Sequence, residues 1–430
     1  MAKEPIYILS KNWDKGKSAS IEVYIQSGGY SALKKAIKKM KPDQIIDEVK
    51  KSNLRGRGGA GFPTGMKWSF VPRDTNKPKY LCVYADEGEP GTFKDIYIMI
   101  KDPHMLLEGI AITSYAVGIN TAYIYVRNEY IESIKSLEKA IQEAKEHNYL
   151  GKNILSTDFN LNVIVHRGAG AYIAGEETGL IESLEGKRAY PRIRPPFPAD
   201  VGVYNCPTVV NNVETIACIP AIIEKGGSWF ASIGTEKDGG TKLYAVSGHV
   251  NNPGVYELPA GTNLLEILNN YAGGIKGGKL KAVIPGGLSA PILSDNECNI
   301  SMDCQSLIKA GSMLGSAGII VMNDKVCMVE ALYNIIEFYA EESCGQCTPC
   351  RTGSHWIKNI LERIIKGKGR IEDLEVILSL VPNINGRTIC AFGDALCGPV
   401  QSFITKFRKE FEYHITEKSC NIPNKIDLLE

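Results

Sequence analysis

The chain has 430 residues, of which 44% are hydrophobic and 23% charged, and its formal net charge is +1. This length supports two or three domains with separate cores, and the near-neutral charge gives no reason to expect nucleic acid as a partner. The longest apolar runs, such as Met105–Val117, are interrupted and too short to cross a bilayer, and the first residues lack an apolar signal core. We therefore expect a cytoplasmic protein without direct membrane insertion.

A glycine-rich run follows the second of two predicted helices, Ser31–Met40 and Asp43–Lys51. Backbone amides of such a run can approach a phosphate closely, and nearby basic side chains add positive charge. The run is neither a P-loop nor a dinucleotide fingerprint, because the Gly-Lys-Ser/Thr ending is absent and no strand precedes it. A phosphate-binding loop and a flexible surface loop both remain open. The residues concerned are Arg55, Gly56, Arg57, Gly58, Gly59, Gly61, Gly65 and Lys67.

Alternating strands and helices then predict a mostly parallel sheet. Strand Tyr80–Tyr84 ends in Ala-Asp-Glu-Gly-Glu-Pro-Gly, and acidic residues and glycines just past a strand belong to the crevice where α/β folds bind ligands. Strand Asn160–His166 leads into a second glycine loop and then helix Glu176–Leu184, whose N-terminus we expect near a nucleotide. Glu176 and Glu177 also suit the helix dipole, so capping alone can explain them. Further predicted elements are helix His104–Val117, strand Ala122–Val126, helix Glu129–His147 and a helix that opens at Val209–Thr215.

The stretch from 187 to 200 is rich in proline, arginine and lysine, which predicts a stiff extended connector. It is either a solvated loop or a further contact to a phosphate. A composition shift near residues 236–240 then begins a small α+β module, and the pattern after Asp324 is helical. The module has predicted strands Lys242–Val250, Gly254–Leu258 and Lys281–Ile284 around helix Asn263–Tyr271, and the later helices are Cys327–Glu341, Trp356–Lys366, Ile371–Leu380 and Pro399–Tyr413.

Three cysteines in one short loop form the strongest local motif. Cys344, Cys347 and Cys350 are spaced C-x2-C-x2-C, which lets consecutive thiolates converge on one cluster and leaves one ligand to come from downstream. Cys390 and Cys397 are the near candidates. Thiolates suit iron–sulfur clusters, zinc and Cu(I), but zinc sites usually bring two separated pairs. The spacing therefore favours a 4Fe–4S cluster.

The order of several motifs gives the chain a family resemblance. These motifs are the two glycine loops, the turn 85–91, the Gly-Glu-Glu-Thr sequence at 175–178 and the cysteines. The chain resembles, over about residues 30–415, the NADH-binding flavoprotein subunit of respiratory complex I and the diaphorase subunits of NAD-linked hydrogenases and formate dehydrogenases. The resemblance implies an α/β Rossmann-like FMN- and NAD-binding domain (1–238), a β-grasp (ubiquitin-like) module (239–324) and a C-terminal four-helix bundle with a 4Fe–4S cluster (325–430).

The resemblance also implies a function and partners. The chain would oxidise NADH by hydride transfer to FMN and pass single electrons to the cluster, with no side chain needed as acid or base. The electrons would then reach a small 2Fe–2S thioredoxin-like subunit and a larger iron–sulfur subunit, and any membrane association would come through that larger complex.

Site residues are carried over by motif. The FMN phosphate and ring would be contacted by Gly56, Gly58, Gly59 and Lys67, within a loop that also contains Arg55 and Gly61. The rest of the flavin would be surrounded by Asp86, Glu87, Gly175, Glu176, Asn211 and Asn212. The nicotinamide-nucleotide site would contain Phe62, Phe70, Glu89, Tyr172, Glu177, Arg194 and Phe197, with Glu89 positioning the nicotinamide. The cluster ligands would be Cys344, Cys347, Cys350 and Cys390.

Three positions depart from the family pattern. Tyr84 stands where the family usually has asparagine, which puts that flavin contact in doubt. Arg194 replaces a lysine, and because a guanidinium suits a 2′-phosphate, NADP(H) stays open beside NAD(H). Cys397 occupies a position that is usually small and does not bind the cluster.

Two alternatives remain at this stage. The chain can be the diaphorase subunit of an NAD(P)-linked or bifurcating hydrogenase or of a formate dehydrogenase. More distantly, it can be a zinc-stabilised scaffold without enzymatic activity, which predicts zinc and no flavin.

Overall fold

The computed structural model describes residues 6–423 and residue 425. The first residues of the expected domain 1–238 and the last residues of the expected domain 325–430 therefore lie outside the described part of the chain.

The first region is built on a four-stranded parallel sheet, as the alternating pattern predicts. Its strands lie in the order β3-β2-β1-β4, and every neighbouring pair is parallel. The chain therefore continues from β1 to one side of the sheet and returns on the other side at β4, which places a ligand-binding crevice beyond the carboxyl end of β1. The strands are β1 (Tyr80–Ala85), β2 (Thr121–Val126), β3 (Asn162–Arg167) and β4 (Thr208–Asn212).

Helices pack on this sheet and around the N-terminal segment. One of them, spanning Pro103–Val117, is buried on almost all sides, and this explains why its sequence is apolar all round rather than amphipathic. A Cβ on its Gly109 would lie 2.1 Å from the Ile216 carbonyl oxygen, so glycine is required there. The helices are α1 (Ile21–Gln26), α2 (Ser31–Lys39), α3 (Pro42–Lys51), α4 (Thr64–Ser69), α5 (Asp95–Lys101), α6 (Pro103–Val117), α7 (Ile131–Glu146), α8 (Glu177–Leu184), α9 (Val213–Ala217), α10 (Ile219–Lys225) and α11 (Gly227–Ala231).

The predicted helix opening at Val209 is wrong. Residues Thr208–Asn212 form β4, which is buried throughout and pairs with β1, and α9 begins only at Val213. A strand buried on both faces has no polar alternation to reveal it. The Asn212 side chain ends the strand and starts the helix, because it accepts a hydrogen bond from the backbone N–H of Glu214.

The second region is a five-stranded mixed sheet in the order β6-β5-β9-β7-β8, with its own hydrophobic core. The predicted helix begins one residue later than expected, because Asn263 is its N-cap, and it ends in a π-helical turn. The strands β8 and β9 and the helix α13 were not predicted. The elements are β5 (Thr241–Gly248), β6 (Gly254–Pro259), α12 (Leu264–Glu266), β7 (Leu280–Ile284), β8 (Leu293–Ser294), α13 (Cys304–Lys309) and β9 (Gly318–Asn323).

The third region is helical, with five helices among the described residues. The predicted helix Trp356–Lys366 begins earlier, at Thr348, because Pro349 is tolerated in a first turn. The predicted helix Pro399–Tyr413 is two helices that meet at Phe407, and Pro399 lies inside the first of them. The helices are α14 (Met328–Glu342), α15 (Thr348–Ile365), α16 (Glu372–Ile384), α17 (Phe392–Lys406) and α18 (Arg408–Thr416). Within residues 6–423 and 425, no helix is both long enough and apolar enough to cross a membrane.

Candidate functional site

Both glycine loops meet at the carboxyl end of β1, on either side of Tyr84. A Cβ on Gly58 would lie 3.1 Å from the Asn212 Cβ and 3.6 Å from the Tyr84 ring. A Cβ on Gly175 would lie 3.0 Å from the Tyr84 hydroxyl oxygen. The structure thus brings two loops that are far apart in sequence to one crevice, with the Tyr84 side chain between them.

The first glycine loop is closed by its own residues. The Arg55 guanidinium donates to the carbonyl oxygens of Gly61 and Lys237 at 2.8 Å each, and the Gly56 N–H donates to the Phe62 carbonyl at 2.9 Å. Gly59 has a φ of +118°, and a Cβ there would meet open space. The loop therefore presents its backbone to an open cradle, while Arg55 holds the loop in shape.

Arg57 does not offer its charge to a phosphate. Its side chain is buried beneath the loop, where it lies 3.4 Å from the Asp238 carboxylate and donates to the Gly239 carbonyl at 2.8 Å. The sequence predicts that Arg55, Arg57 or Lys67 adds positive charge at a phosphate. For Arg57 this prediction is wrong, because its guanidinium binds groups in the protein interior.

The first two acidic residues after β1, Asp86 and Glu87, have different surroundings. Asp86 is buried, its Oδ1 has no hydrogen-bond partner in the described part of the chain, and burial, against an opposing effect of Arg127, raises its pKa to about 7. Glu87, by contrast, accepts hydrogen bonds from the first backbone N–H groups of α5, at 2.7 Å from Asp95, and so caps that helix. Asp86 is the acidic group that a ligand in the crevice can still use.

Glu89 is held by one residue of the second glycine loop and one residue of the second region. Its Oε1 accepts from the Ser289 N–H and hydroxyl at 2.7 Å each, and its Oε2 accepts from the Tyr172 hydroxyl. Burial raises the pKa of Glu89, although these hydrogen bonds oppose the rise. The arrangement fixes the Glu89 carboxylate between the second glycine loop and the second region.

The two asparagines at the end of β4 also differ. Asn212 uses both ends of its amide, because Oδ1 caps α9 and Nδ2 donates to Asp95 at 2.5 Å. Asn211 accepts from the Trp68 indole N–H at 2.9 Å, and its Nδ2 donates to no described residue. Asn211 therefore retains a donor for a ligand, whereas Asn212 supports the fold.

A cluster of charges lies at the N-terminus of α8. The Glu177 carboxylate binds Lys67 Nζ at 2.9 Å and Arg194 Nη1 at 3.0 Å, and Arg194 Nη2 lies 3.8 Å from Glu176. Burial would raise the pKa of Glu177, but the two cations outweigh it and hold the pKa below its ordinary value. Glu176 itself accepts from the Thr178 and Gly179 N–H groups at 2.9 Å each, which confirms that it caps α8.

Three of the predicted aromatic residues are exposed. The rings of Phe62 and Phe70 are 6.1 Å apart, and these residues are 44% and 54% exposed. Phe197 is 53% exposed and has no ring contact within the described residues. Flat apolar surfaces that face water are suited to stacking on a ring of a ligand.

The predicted cluster cysteines lie together beside the second glycine loop. Burial raises the pKa of Cys350 to about 11, and Cys344 and Cys347 add to the rise. Burial likewise raises the pKa of Cys390 to about 12, and here Glu176, Cys344 and Cys347 contribute. Cys350 and Ile173 of the second glycine loop share one hydrophobic core, and Cys344, Cys347 and Cys390 pack against that core.

The spacing of these thiols suits a cluster better than a single ion. No three of the four sulfur atoms, all of them in the described part of the chain, lie within 4.8 Å of one another. A tetrahedral zinc ion with Zn–S distances of ~2.3 Å would hold its sulfurs about 3.8 Å apart. Cys397, the other candidate, is buried in α17 and its thiol donates to the Val381 carbonyl at 3.7 Å.

Tyr172 connects the crevice to the cysteines. Its N–H donates to the Glu342 carboxylate at 3.0 Å, and its ring packs against Phe338 and Phe392 at centroid distances of 5.1 and 5.7 Å. Glu342 and Phe392 lie next to the cysteine triplet and to Cys390 in sequence. The second glycine loop is thus packed directly on the segments that carry the thiols.

Sequence reasoning missed Ser289, Arg127 and Tyr339. Ser289 lies between Glu89 and Tyr339, whose hydroxyl donates to Ser289 Oγ at 2.9 Å. A usable sign was the glycine pair that precedes Ser289, because a Cβ on Gly287 would lie 2.6 Å from the Glu89 side chain. Arg127 and Tyr339 have no comparable local motif.

Comparisons with known proteins agree over most of the chain. The family described as Nuo51 FMN-binding domain matches residues 49–221, the SLBB domain matches 242–321, and the NADH-ubiquinone oxidoreductase-F iron-sulfur binding region matches 330–414. The NADH-quinone oxidoreductase F subunit 2 of Rhizobium meliloti is 54% identical over 96% of this chain and 98% of its own length. The NADH-quinone oxidoreductase F subunit of Streptomyces coelicolor is 48% identical over 96% of this chain and 92% of its own.

A solved structure has a similar fold. A chain of the NAD+-reducing [NiFe]-hydrogenase in its H2-reduced state superposes with a TM-score of 0.83 at 33% sequence identity, over 96% of this chain and 67% of that chain. The two F subunits are more identical to this chain, and the match spans more of their own length. With these relatives and with an FMN-binding and an iron–sulfur region in the expected order, the chain belongs to the family of NADH-quinone oxidoreductase F subunits.

Proposed function

We propose that this chain is the electron-input subunit of an NADH dehydrogenase complex, with FMN in the crevice between its glycine loops and a 4Fe–4S cluster on its C-terminal cysteines. The contact of both loops with Tyr84, together with the packing of the second loop on the cysteine segments, carries this proposal. When bound, FMN takes a hydride from the nicotinamide and gives up electrons singly, as a one-electron cluster requires.

The residues of the crevice fit a flavin nucleotide. The open cradle at Gly59, the unpartnered Asp86 Oδ1 and the free Asn211 Nδ2 offer backbone donors, an acceptor and an amide donor. Lys67 lies near the first loop and can add positive charge for the phosphate, although its Nζ also binds Glu177 and the Val210 carbonyl oxygen at 2.9 Å each. We assign direct contacts to Gly56, Gly58, Gly59, Lys67, Asp86, Gly175 and Asn211, and a supporting role to Arg55, Gly61, Glu87, Glu176 and Asn212.

The nicotinamide nucleotide is assigned to the exposed side of the crevice. Phe62, Phe70 and Phe197 offer ring surfaces, and the fixed Glu89 carboxylate offers an acceptor that can orient an amide or a ribose hydroxyl. Tyr172 holds Glu89 in place by a hydrogen bond and covers the cluster side of the site. None of these residues would have to transfer a proton, because the bound flavin would supply the hydride chemistry.

The geometry favours NADH over NADPH. Arg194 was a candidate for a 2′-phosphate, but its guanidinium already pairs with Glu177 and lies close to Glu176. Two carboxylates beside it would repel the added phosphate. We therefore assign NAD(H) as the coenzyme of the unaltered chain.

The cluster cysteines are placed to pass electrons onward. Cys344, Cys347 and Cys390 are half-buried, whereas Cys350 is buried, so one side of the quartet is close to solvent. This supports transfer to a partner, which we assign, from the family, as a small 2Fe–2S thioredoxin-like subunit and a larger iron–sulfur subunit. Membrane association would then come through that complex, with this chain on the cytoplasmic side.

The finer description of the fold belongs to the same proposal. We assign the five-stranded sheet to a β-grasp module and α14, α15, α16 and α17 to a four-helix bundle, with α18 as an addition. The division at 1–238, 239–324 and 325–430 is supported by the separate core of the sheet and by the three matched family regions.

A diaphorase subunit of a hydrogenase is the second candidate, and the superposition on the NAD+-reducing hydrogenase favours it. The higher identity to the F subunits of NADH-quinone oxidoreductases favours the first. The thiol spacing argues against the zinc scaffold at this site.

Purification without air, followed by flavin, iron and zinc analysis and by addition of NADH or NADPH, tests the function. We expect flavin and iron in the chain and bleaching of the flavin absorption by NADH at far lower concentration than by NADPH. A colourless chain with zinc in place of iron would refute the proposal.

A further inference from the structure

A second group of metal-ligating side chains lies outside the site described above. It consists of Cys327, His414 and Cys420, and it is at the opposite end of α14 from the cluster cysteines. Cys327 is the N-cap of α14, whereas Cys344 follows its last turn. A helix of this length spans about 22 Å, so the two groups are separate.

The three side chains meet at one point. A ligand atom of each, the two sulfurs and one imidazole nitrogen, lies within 4.8 Å of the others, and Cys327 Sγ is 3.2 Å from His414 Nε2. Cys327 and His414 are buried and Cys420 is half-buried. Two thiols and one imidazole at this separation are a ligand set that zinc prefers.

Glu330 gives an independent indication that this point binds a ligand. Its carboxylate is only 4% exposed, and its Oε2 has no hydrogen-bond partner among the residues that the structure describes. Its other oxygen binds Lys425 Nζ at 2.6 Å. The charge of Glu330 acts on both Cys327 and His414, so its carboxylate lies near the group, although neither of its oxygens lies within 4.8 Å of all three ligand atoms.

A disulfide between the two cysteines would not explain this arrangement. It would leave the His414 nitrogen and the Glu330 Oε2 buried without partners, which costs free energy. A cation bound by the two sulfurs and the His414 nitrogen would satisfy these three side chains, and its charge would attract the Glu330 carboxylate. The nearby Lys425 would compensate the negative charge that two thiolates and one carboxylate bring to a divalent ion.

We propose that Cys327, His414 and Cys420 bind one zinc ion, and that the nearby Glu330 carboxylate turns towards the ion to supply the fourth ligand. Four protein ligands without an open position are the arrangement of a structural zinc site. The two thiols would release their protons to solvent on binding. The ion would fasten the segment after α18 to the start of α14, and so hold the C-terminal part of the helical region together.

The test uses the full-length chain with its cofactors, purified without air. Zinc is measured together with iron and flavin in the unaltered chain, in Cys420→Ser and in Cys298→Ser. Cys298 is a matched control, because it is an isolated buried thiol that donates to the Ser294 carbonyl. We expect about one zinc per chain in the unaltered protein and the control, and at least tenfold less in Cys420→Ser with iron and flavin unchanged.

A second measurement does not depend on the folding of a variant. Cobalt(II) exchanged into the unaltered holoprotein should give the intense visible bands of a tetrahedral ion with thiolate ligands. The proposal is overturned if the unaltered chain holds no zinc and develops no such bands with cobalt, if Cys420→Ser keeps its zinc, or if mass analysis of the protein purified without air finds a bond between Cys327 and Cys420.

Discussion

We expect Glu177→Gln to increase the use of NADPH by this chain. Glu177 binds both Lys67 and Arg194, at 2.9 and 3.0 Å, and so neutralises the two cations nearest the proposed nucleotide site. Glutamine has the same shape and no charge. The substitution removes one repulsion from a 2′-phosphate and frees two positive charges to attract it.

The size of the effect follows from Coulomb's law. Two unit charges about 6 Å apart interact by about 0.7 kcal/mol in water and by about 2.8 kcal/mol at an effective dielectric constant of ~20. The Glu177 side chain is 21% exposed, so its surroundings lie between these limits. An intermediate value of about 1.4 kcal/mol corresponds to a tenfold change.

The assay is the rate of flavin bleaching without air at varied NADH and NADPH, which gives kcat/KM for each coenzyme. We expect the ratio of NADPH to NADH to rise about tenfold in Glu177→Gln, and the gain to shrink at high salt because exposed charges are screened. Glu182→Gln is the matched control, since Glu182 lies on the same helix and pairs with Arg192 at 2.5 Å. An unchanged ratio in Glu177→Gln, or an equal rise in the control, would refute the reasoning.

Three further predictions concern the cluster, the fold and the crevice. Cys390→Ser should lose most of its iron, whereas Cys397→Ser should keep it, and iron analysis with absorption spectra would show the reverse if Cys397 were the ligand. Burial raises the pKa of Asp102 to about 7, so the stability it contributes is present below its unfolded pKa of about 3.9 and is lost as the pH rises through 7. In urea unfolding, the free energy of unfolding of Asp102→Asn relative to that of the unaltered chain should therefore rise by up to about 3 kcal/mol between pH 5 and pH 8. A difference between the two proteins that does not depend on pH would contradict this. Gly175→Ala places a Cβ 3.0 Å from the Tyr84 hydroxyl; it should weaken flavin binding about tenfold by titration (~1.4 kcal/mol), and adding Tyr84→Phe should restore part of the loss, unless the two residues act independently.

The parallel sheet could be predicted because its strands alternate with helices in sequence. What failed were elements whose sequence lacks periodicity. The fully buried β4 carries no polar alternation, and β9 is a short apolar run whose partners lie in distant strands. The sequence predicts a helix that begins at Pro399, but α17 begins at Phe392, because tertiary packing keeps that proline inside the helix.

The motifs largely predicted the location of the candidate site, but they did not predict the role of each side chain. Glycine spacing and the turn after β1 pointed to one crevice. Arg55 closes its loop by donating to the carbonyl oxygen of residue 237, and the buried Arg57 donates to that of residue 239. Sequence alone does not show that these distant residues lie beside the loop. Likewise, the role of Glu87 as a helix cap and the support of Glu89 by Ser289 arise from folding.

The central claim is that reducing equivalents from NADH reach iron held by the C-terminal cysteines of this chain. Its most direct test is a titration with NADH in the absence of air, followed by absorption and low-temperature EPR, on the unaltered chain and on Cys390→Ser. We predict that NADH bleaches the flavin in both and produces the EPR signal of a reduced 4Fe–4S cluster only in the unaltered chain. Flavin bleaching without any cluster signal in the unaltered chain, or an undiminished signal in Cys390→Ser, would contradict this account.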